Sequence, residues 1–138
     1  MADTGNGATL TLATTGSVGT IRSMTLPEFV VEKIETSHLA TTSFKTYRSA
    51  DLSEPGEITA EILFNADTGS VPSRGVAETV TVTWPIHTSG NTTNATLAGT
   101  GFITSFKTPD MTNGELQIAN ITIAYDGETD PAFTAEAA

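Results

Sequence analysis

The 138-residue chain has no cysteine, which excludes disulfide staples and thiolate metal sites. It has two histidines, His38 and His87, in different loops and without an i, i+4 partner, so no histidine-based metal centre is expected. Cations are scarce: six Lys and Arg stand against sixteen Asp and Glu, a formal net charge of −10. That balance serves solubility and opposes binding to phosphate backbones. No apolar run approaches the ~20 residues of a membrane-spanning helix, and the opening MADTGNGATL lacks the basic and apolar regions of a signal peptide. A soluble protein left in the cytoplasm where it is made, without membrane contact, is the expectation. Phosphate-cradling loops, nucleophile elbows, basic aromatic patches and internal repeats are also missing, and no cofactor is expected.

What is present points to β-structure. About a fifth of the residues are Thr, with abundant Val and Ile, the composition of pleated strands. Glu57 to Phe64 alternates, with Ile58, Ala60, Ile62 and Phe64 on one face and Glu57, Thr59 and Glu61 on the other. Glu78 to Trp84 does the same, with Val80, Val82 and Trp84 inward. Further strands are expected at Ala8–Ala13 (as an edge), Val18–Leu26, Phe29–Thr36, Ala95–Lys107 and Glu115–Tyr125. Gly99 and Gly101 suggest a bulge or a close backbone approach, and a phase slip near Asn120 suggests a bulge in the last strand. Between Phe29–Thr36 and Glu57–Phe64 lies a long polar loop mixing His38, Phe44, Lys45, Tyr47, Arg48 and Asp51, an adhesive combination or a loop folded back on its own barrel. The expected fold is all-β with at most one short helix: a β-sandwich or small barrel of about seven strands. A flexible N-terminal arm (1–18) precedes the β-domain (19–127), and an acidic tail without pattern (128–138) follows it.

Several motifs imitate chemistry. Asp67-Thr68-Gly69-Ser70 follows an apolar strand as the catalytic carboxylate of aspartic proteases does, and Asp3-Thr4-Gly5 repeats the tripeptide. Such a site needs two carboxylates sharing a proton. A turn in which Asp67 caps the backbone accounts for the same residues. Asp126, Glu128 and Asp130 miss calcium-loop spacing, and the sequons at Asn91, Asn94 and Asn120 matter only on a secreted chain.

Read in order, Glu35-Thr36-Ser37, Phe44 with Tyr47-Arg48, Gly56-Glu57, Trp84-Pro85, Gly101-Phe102-Ile103-Thr104-Ser105-Phe106 and Asp126-Gly127 resemble the major tail tube proteins of long-tailed phages and gene transfer particles. Relatives often place a helix within 65–77, where Gly69, Pro72 and Gly75 leave room for one turn at most. The resemblance implies a non-enzymatic structural protein that donates strands to a hexameric inner β-barrel, in rings stacked around a tape-measure protein. The tail terminator and the baseplate or distal tail proteins are the further partners, and DNA passes through without specific binding. Assembly would take place in the bacterial host cytoplasm, and the product would be part of the virion tail. Glu35, Glu57 and Glu61 are the candidates to face the lumen, and the loop bearing His38, Phe44, Lys45, Tyr47, Arg48 and Asp51 is the candidate to reach the next ring. Two other classes remain open: a monomeric carbohydrate- or adhesin-type binding module, and a dimeric protease resting on Asp67.

Overall fold

A computed structural model describes residues 7–13, 16–17, 20–64, 72–128 and 130–138. Ten strands follow one another: β1 (Thr9–Leu12), β2 (Gly16–Ser17), β3 (Thr20–Thr25), β4 (Val30–Glu35), β5 (Tyr47–Glu54), β6 (Glu57–Leu63), β7 (Glu78–Thr83), β8 (Thr96–Lys107), β9 (Ile118–Tyr125) and β10 (Ala132–Thr134). No helix occurs among the described residues. The main sheet runs β2-β1-β7-β8-β9-β6-β3, with β10 on β8, and β4 and β5 form a separate pair. The main sheet curls until β1 comes against β3, enclosing one core in the manner of a sandwich or small barrel.

The period-2 pattern of the sequence dictates which face is covered. Leu10 and Leu12, Ile58 and Ile62, Val80 and Val82, and Ile121 and Ile123 meet in a single cluster. Burying each such side chain is worth about 1.5–3 kcal/mol. Two bulges keep the pattern in phase. Arg22 is the extra residue in β3, so that Ile21 and Met24, three apart, both face the core. Thr104 is the extra residue in β8 and does the same for Ile103 and Phe106, its hydroxyl donating to the Thr122 carbonyl at 3.2 Å. The bulge therefore lies in β8 and not at Asn120, because β9 alternates without interruption through Ala119, Ile121, Ile123 and Tyr125. Close approach explains the glycines: a Cβ on Gly99 would stand 2.7 Å from the Tyr125 ring, and one on Gly101 would stand 2.6 Å from the Ala124 carbonyl oxygen.

Two segments that the sequence sets apart as arm and tail each place a strand in this sheet. In the first, Leu10 and Leu12 of β1 enter the core. In the second, β10 takes the part of the β8 edge beyond the end of β9, with Phe133 opposite Leu97.

Candidate functional site

The region expected as a long loop is a β-ribbon. Thr25 stands opposite Thr59 in the β3–β6 pair and Val30 opposite Glu54 in the β4–β5 pair, so one register runs through both. The β3–β6 hairpin leaves the core sheet, breaks at Pro27 and Pro55, and continues as β4–β5. Gly56 permits the break: its φ is +82°, and a Cβ there would lie 2.9 Å from the Glu28 carbonyl oxygen. At ~3.4 Å per residue β4 alone extends roughly 17 Å. Every residue of β4 is exposed, and no strand of the main sheet touches β4 or β5. β4 thus pairs with β5 and not with β6, which has β3 and β9 as neighbours.

The ribbon's far end organises itself. The Thr36 N–H donates to the Thr46 carbonyl at 2.8 Å, and the Thr46 N–H donates to Ser37 Oγ at 2.8 Å. The His38 N–H donates to Thr41 Oγ1 at 3.0 Å, and His38 Nδ1 accepts from the Ala40 N–H at 3.2 Å. Lys33 Nζ sits 4.1 Å from the centre of the Tyr47 ring. Arg48 reaches Asp51 at 3.6 Å, both well exposed, a pair of little energetic weight. Three residues, 50–52, bulge opposite Glu32. Of the six residues expected on this segment, His38, Phe44 and Lys45 lie in the tip, Tyr47 and Arg48 open β5 beside it, and Asp51 lies nearer the base, in the bulge opposite Glu32. Leu39, fully exposed, and Leu52 at 85% join Phe44 at 85%. Neither leucine stood out in the sequence, where each is a lone apolar residue in a polar stretch.

The carboxylates divide differently. Glu57 and Glu61 share the outer face of β6, where Ser23 Oγ donates to Glu61 Oε2 at 3.3 Å. Around them, β3, β9 and β8 present Thr25, Thr122, Asn120 and Ser105, with Lys107 in the same row as Glu61 and held by Asp110, giving a hydroxyl-rich face with two carboxylates and one ion-paired cation. Glu35 is not part of it, being opposite Tyr47 on the ribbon. The far side of β3 has no strand partner among the described residues, leaving a row of backbone donors and acceptors on that edge. Asp67, on which the protease reading rests, and the Asp3-Thr4-Gly5 repeat both lie outside the described residues.

This geometry has counterparts among solved structures. A chain of the extracellular contractile injection system PVC sheath/tube terminator in the extended state superposes with a TM-score of 0.75 at 12% identity, covering 98% of both chains. A chain of the PVC sheath-tube complex in the extended state gives 0.67 at 13% identity, covering 93% of this chain and 88% of the other. A chain of the anti-feeding prophage baseplate, 6-fold symmetrised, gives 0.63 at 11% identity over 98% of each. The chain shares its fold with these components of the PVC injection system and of the anti-feeding prophage baseplate. No protein-family model and no curated protein sequence matches the chain.

On this injection-system fold the C-terminal strand builds a second feature. Trp84 and Phe133 meet edge to face, with centroids 5.5 Å apart and planes at 78°. Asn94 Nδ2 donates to the Trp84 carbonyl at 2.7 Å. The Glu136 carboxylate accepts the N–H groups of His87 and Thr88, each at 3.1 Å. The Thr88 hydroxyl foremost, then the His87 N–H, hold its pKa below the ordinary carboxylate value. Asp126 accepts from the Glu128 N–H at 3.0 Å, so this acidic residue shapes the turn at Gly127.

Proposed function

We propose that the chain is the major tube subunit of a phage-type tail, of a long-tailed phage or a gene transfer particle, closing into hexameric rings that stack into a hollow conduit. The observation that carries this reading is the fold likeness over 98% of both chains to a component of a sheath/tube terminator complex. The physical need for partners agrees with it. An isolated two-stranded ribbon is marginal in water, an unpaired strand edge invites pairing, and this chain exposes both. The β3 edge would pair with a neighbour around the ring, and the ribbon would reach the ring above or below. A tape-measure protein would fill the growing tube, with a terminator and baseplate or distal tail proteins at its ends.

The face holding Glu57 and Glu61 is the best candidate for the lumen. Six chains would carry −60 formal charges, six times −10. A basic wall releases counterions and holds a duplex, whereas an anionic wall lets it slide. Glu35 belongs to the ribbon and would lie between rings. The solved counterparts come from contractile injection systems, which supports a second version: the inner tube of a sheathed particle.

Electron microscopy of the concentrated protein, alone and seeded with tail tips, tests the proposal. Hollow rings or tubes are expected. A chain that remains single throughout defeats it and leaves a monomeric binding module as the better account.

A further inference from the structure

We propose that the tip of the ribbon of one copy docks, through Phe44 and Lys45, in the aromatic cleft at Trp84 and Phe133 of a second copy. This rests on the assembly reading above and names the surface that receives the ribbon. The cleft measures about 410 Å³ and is open to solvent. Trp84, Pro85, Phe133 and Ala135 form its apolar walls, and His87 and Glu136 stand at its rim. Phe133 keeps 62% of its surface exposed despite its contact with Trp84, so the cleft offers apolar ring surface for a partner to cover.

Charge selects the occupant. Residues 126–138 carry Asp126, Glu128, Asp130 and Glu136 and no Lys or Arg. Residues 36–46 carry Lys45 and no carboxylate, in a chain with sixteen acids and six bases, whereas Arg48 is paired with Asp51. The ribbon tip is therefore a cationic point on an anionic protein, and the exposed Phe44 is the chain neighbour of its cation, Lys45. An aromatic side chain flanked by a positive charge complements an aromatic cleft rimmed by a carboxylate. The backbone donors at His87 and Thr88 hold Glu136 at that rim. The chain's own ribbon is not the occupant, since no ribbon residue lines the cleft.

Cysteine crosslinking tests this cleanly because the chain has no native thiol. Ser43→Cys and Ala135→Cys replace two exposed residues, so both variants are expected to fold, checked by circular dichroism. On oxidation of the assembled protein, the double variant is expected to give a covalent ladder of many copies, and each single variant dimers at most. Charge reversal supplies an independent reading. Lys45→Glu and Glu136→Lys should each raise the concentration needed for assembly by about tenfold or more, and the combined variant should recover most of that loss. Tubes that form without the ladder, with a combined variant no better than the product of its parents, overturn the docking and leave the tube reading standing. A wild-type chain that never associates removes both.

Discussion

Truncating Phe44 to Ala separates the energetics of folding from those of assembly. The side chain is 85% exposed and touches no strand of the core sheet, so the folded subunit loses almost nothing. Urea unfolding followed through Trp84, the only tryptophan, should change by less than about 0.5 kcal/mol. Covering the same ring against a second copy is another matter. A buried aromatic side chain contributes roughly 150–250 Å², and at ~25 cal/mol/Å² that is worth about 4–6 kcal/mol. Allowing for the methyl that remains and for incomplete cover leaves about 2 kcal/mol per contact, or roughly 30-fold in the association constant. Sedimentation of assembled material against subunit concentration measures this. The reasoning is refuted by an unchanged assembly threshold, and equally by a loss of more than about 1.5 kcal/mol in subunit stability, which would mean that Phe44 serves the fold.

Three further outcomes are expected. Gly101→Ala places a methyl 2.6 Å from the Ala124 carbonyl oxygen, forcing β8 and β9 apart, and should cost about 2–3 kcal/mol in urea unfolding; an unchanged midpoint would show that the two strands yield freely. Tyr125→Phe should leave stability unchanged or raise it by up to about 1 kcal/mol, because the phenol oxygen is buried without a partner among the described residues. A loss above 1 kcal/mol (about the worth of one hydrogen bond) would reveal a bond to that oxygen. For Glu136 the folded pKa lies below the unfolded one, so its stabilising hold on the His87–Thr88 turn is complete above about pH 4.5 and is lost as the pH falls through the folded value. Amide exchange at His87, Thr88 and β10, corrected for intrinsic rates, should accelerate as the pH falls through the folded value and likewise on Glu136→Gln at neutral pH, and unchanged protection in that variant would contradict it.

The core strands were legible because one face of each is covered and the other is not. Ile58-Ala60-Ile62 and Val80-Val82 alternate in the sequence as they do in the structure. Their polar neighbours followed, so Glu57 and Glu61 could be placed on one face without coordinates. The first ribbon strand, β4, was legible from its β-branched residues, but β5 was not, for the converse reason: it is exposed nearly throughout, and a strand with two wet faces carries no period-2 signal. What fixes it is register inherited from β3–β6, a property of pairing and not of composition. That pairing is also what sets Glu35 on the ribbon, opposite Tyr47, apart from Glu57 and Glu61. The slip near Asn120 reflects Leu116 and Ile118 falling out of phase with Ile121, Ile123 and Tyr125 in the sequence, whereas Leu116 is largely exposed and Ala119 fills the inward position. Small side chains such as Ala119 bury fully and announce nothing. β10 is too short for any periodicity, and the marks it leaves, Phe133 and Glu136, acquire meaning only beside Trp84 and His87.

The most direct test is a cryo-electron microscopy reconstruction of whatever the purified chain forms when concentrated and seeded with tail tips. A six-fold tube is expected in which the free side of β3 is hydrogen-bonded to a neighbouring subunit, with Glu57 and Glu61 on the inner wall. Isolated subunits, or a tube whose inner wall is built from another face while β3 remains unpaired, would contradict it.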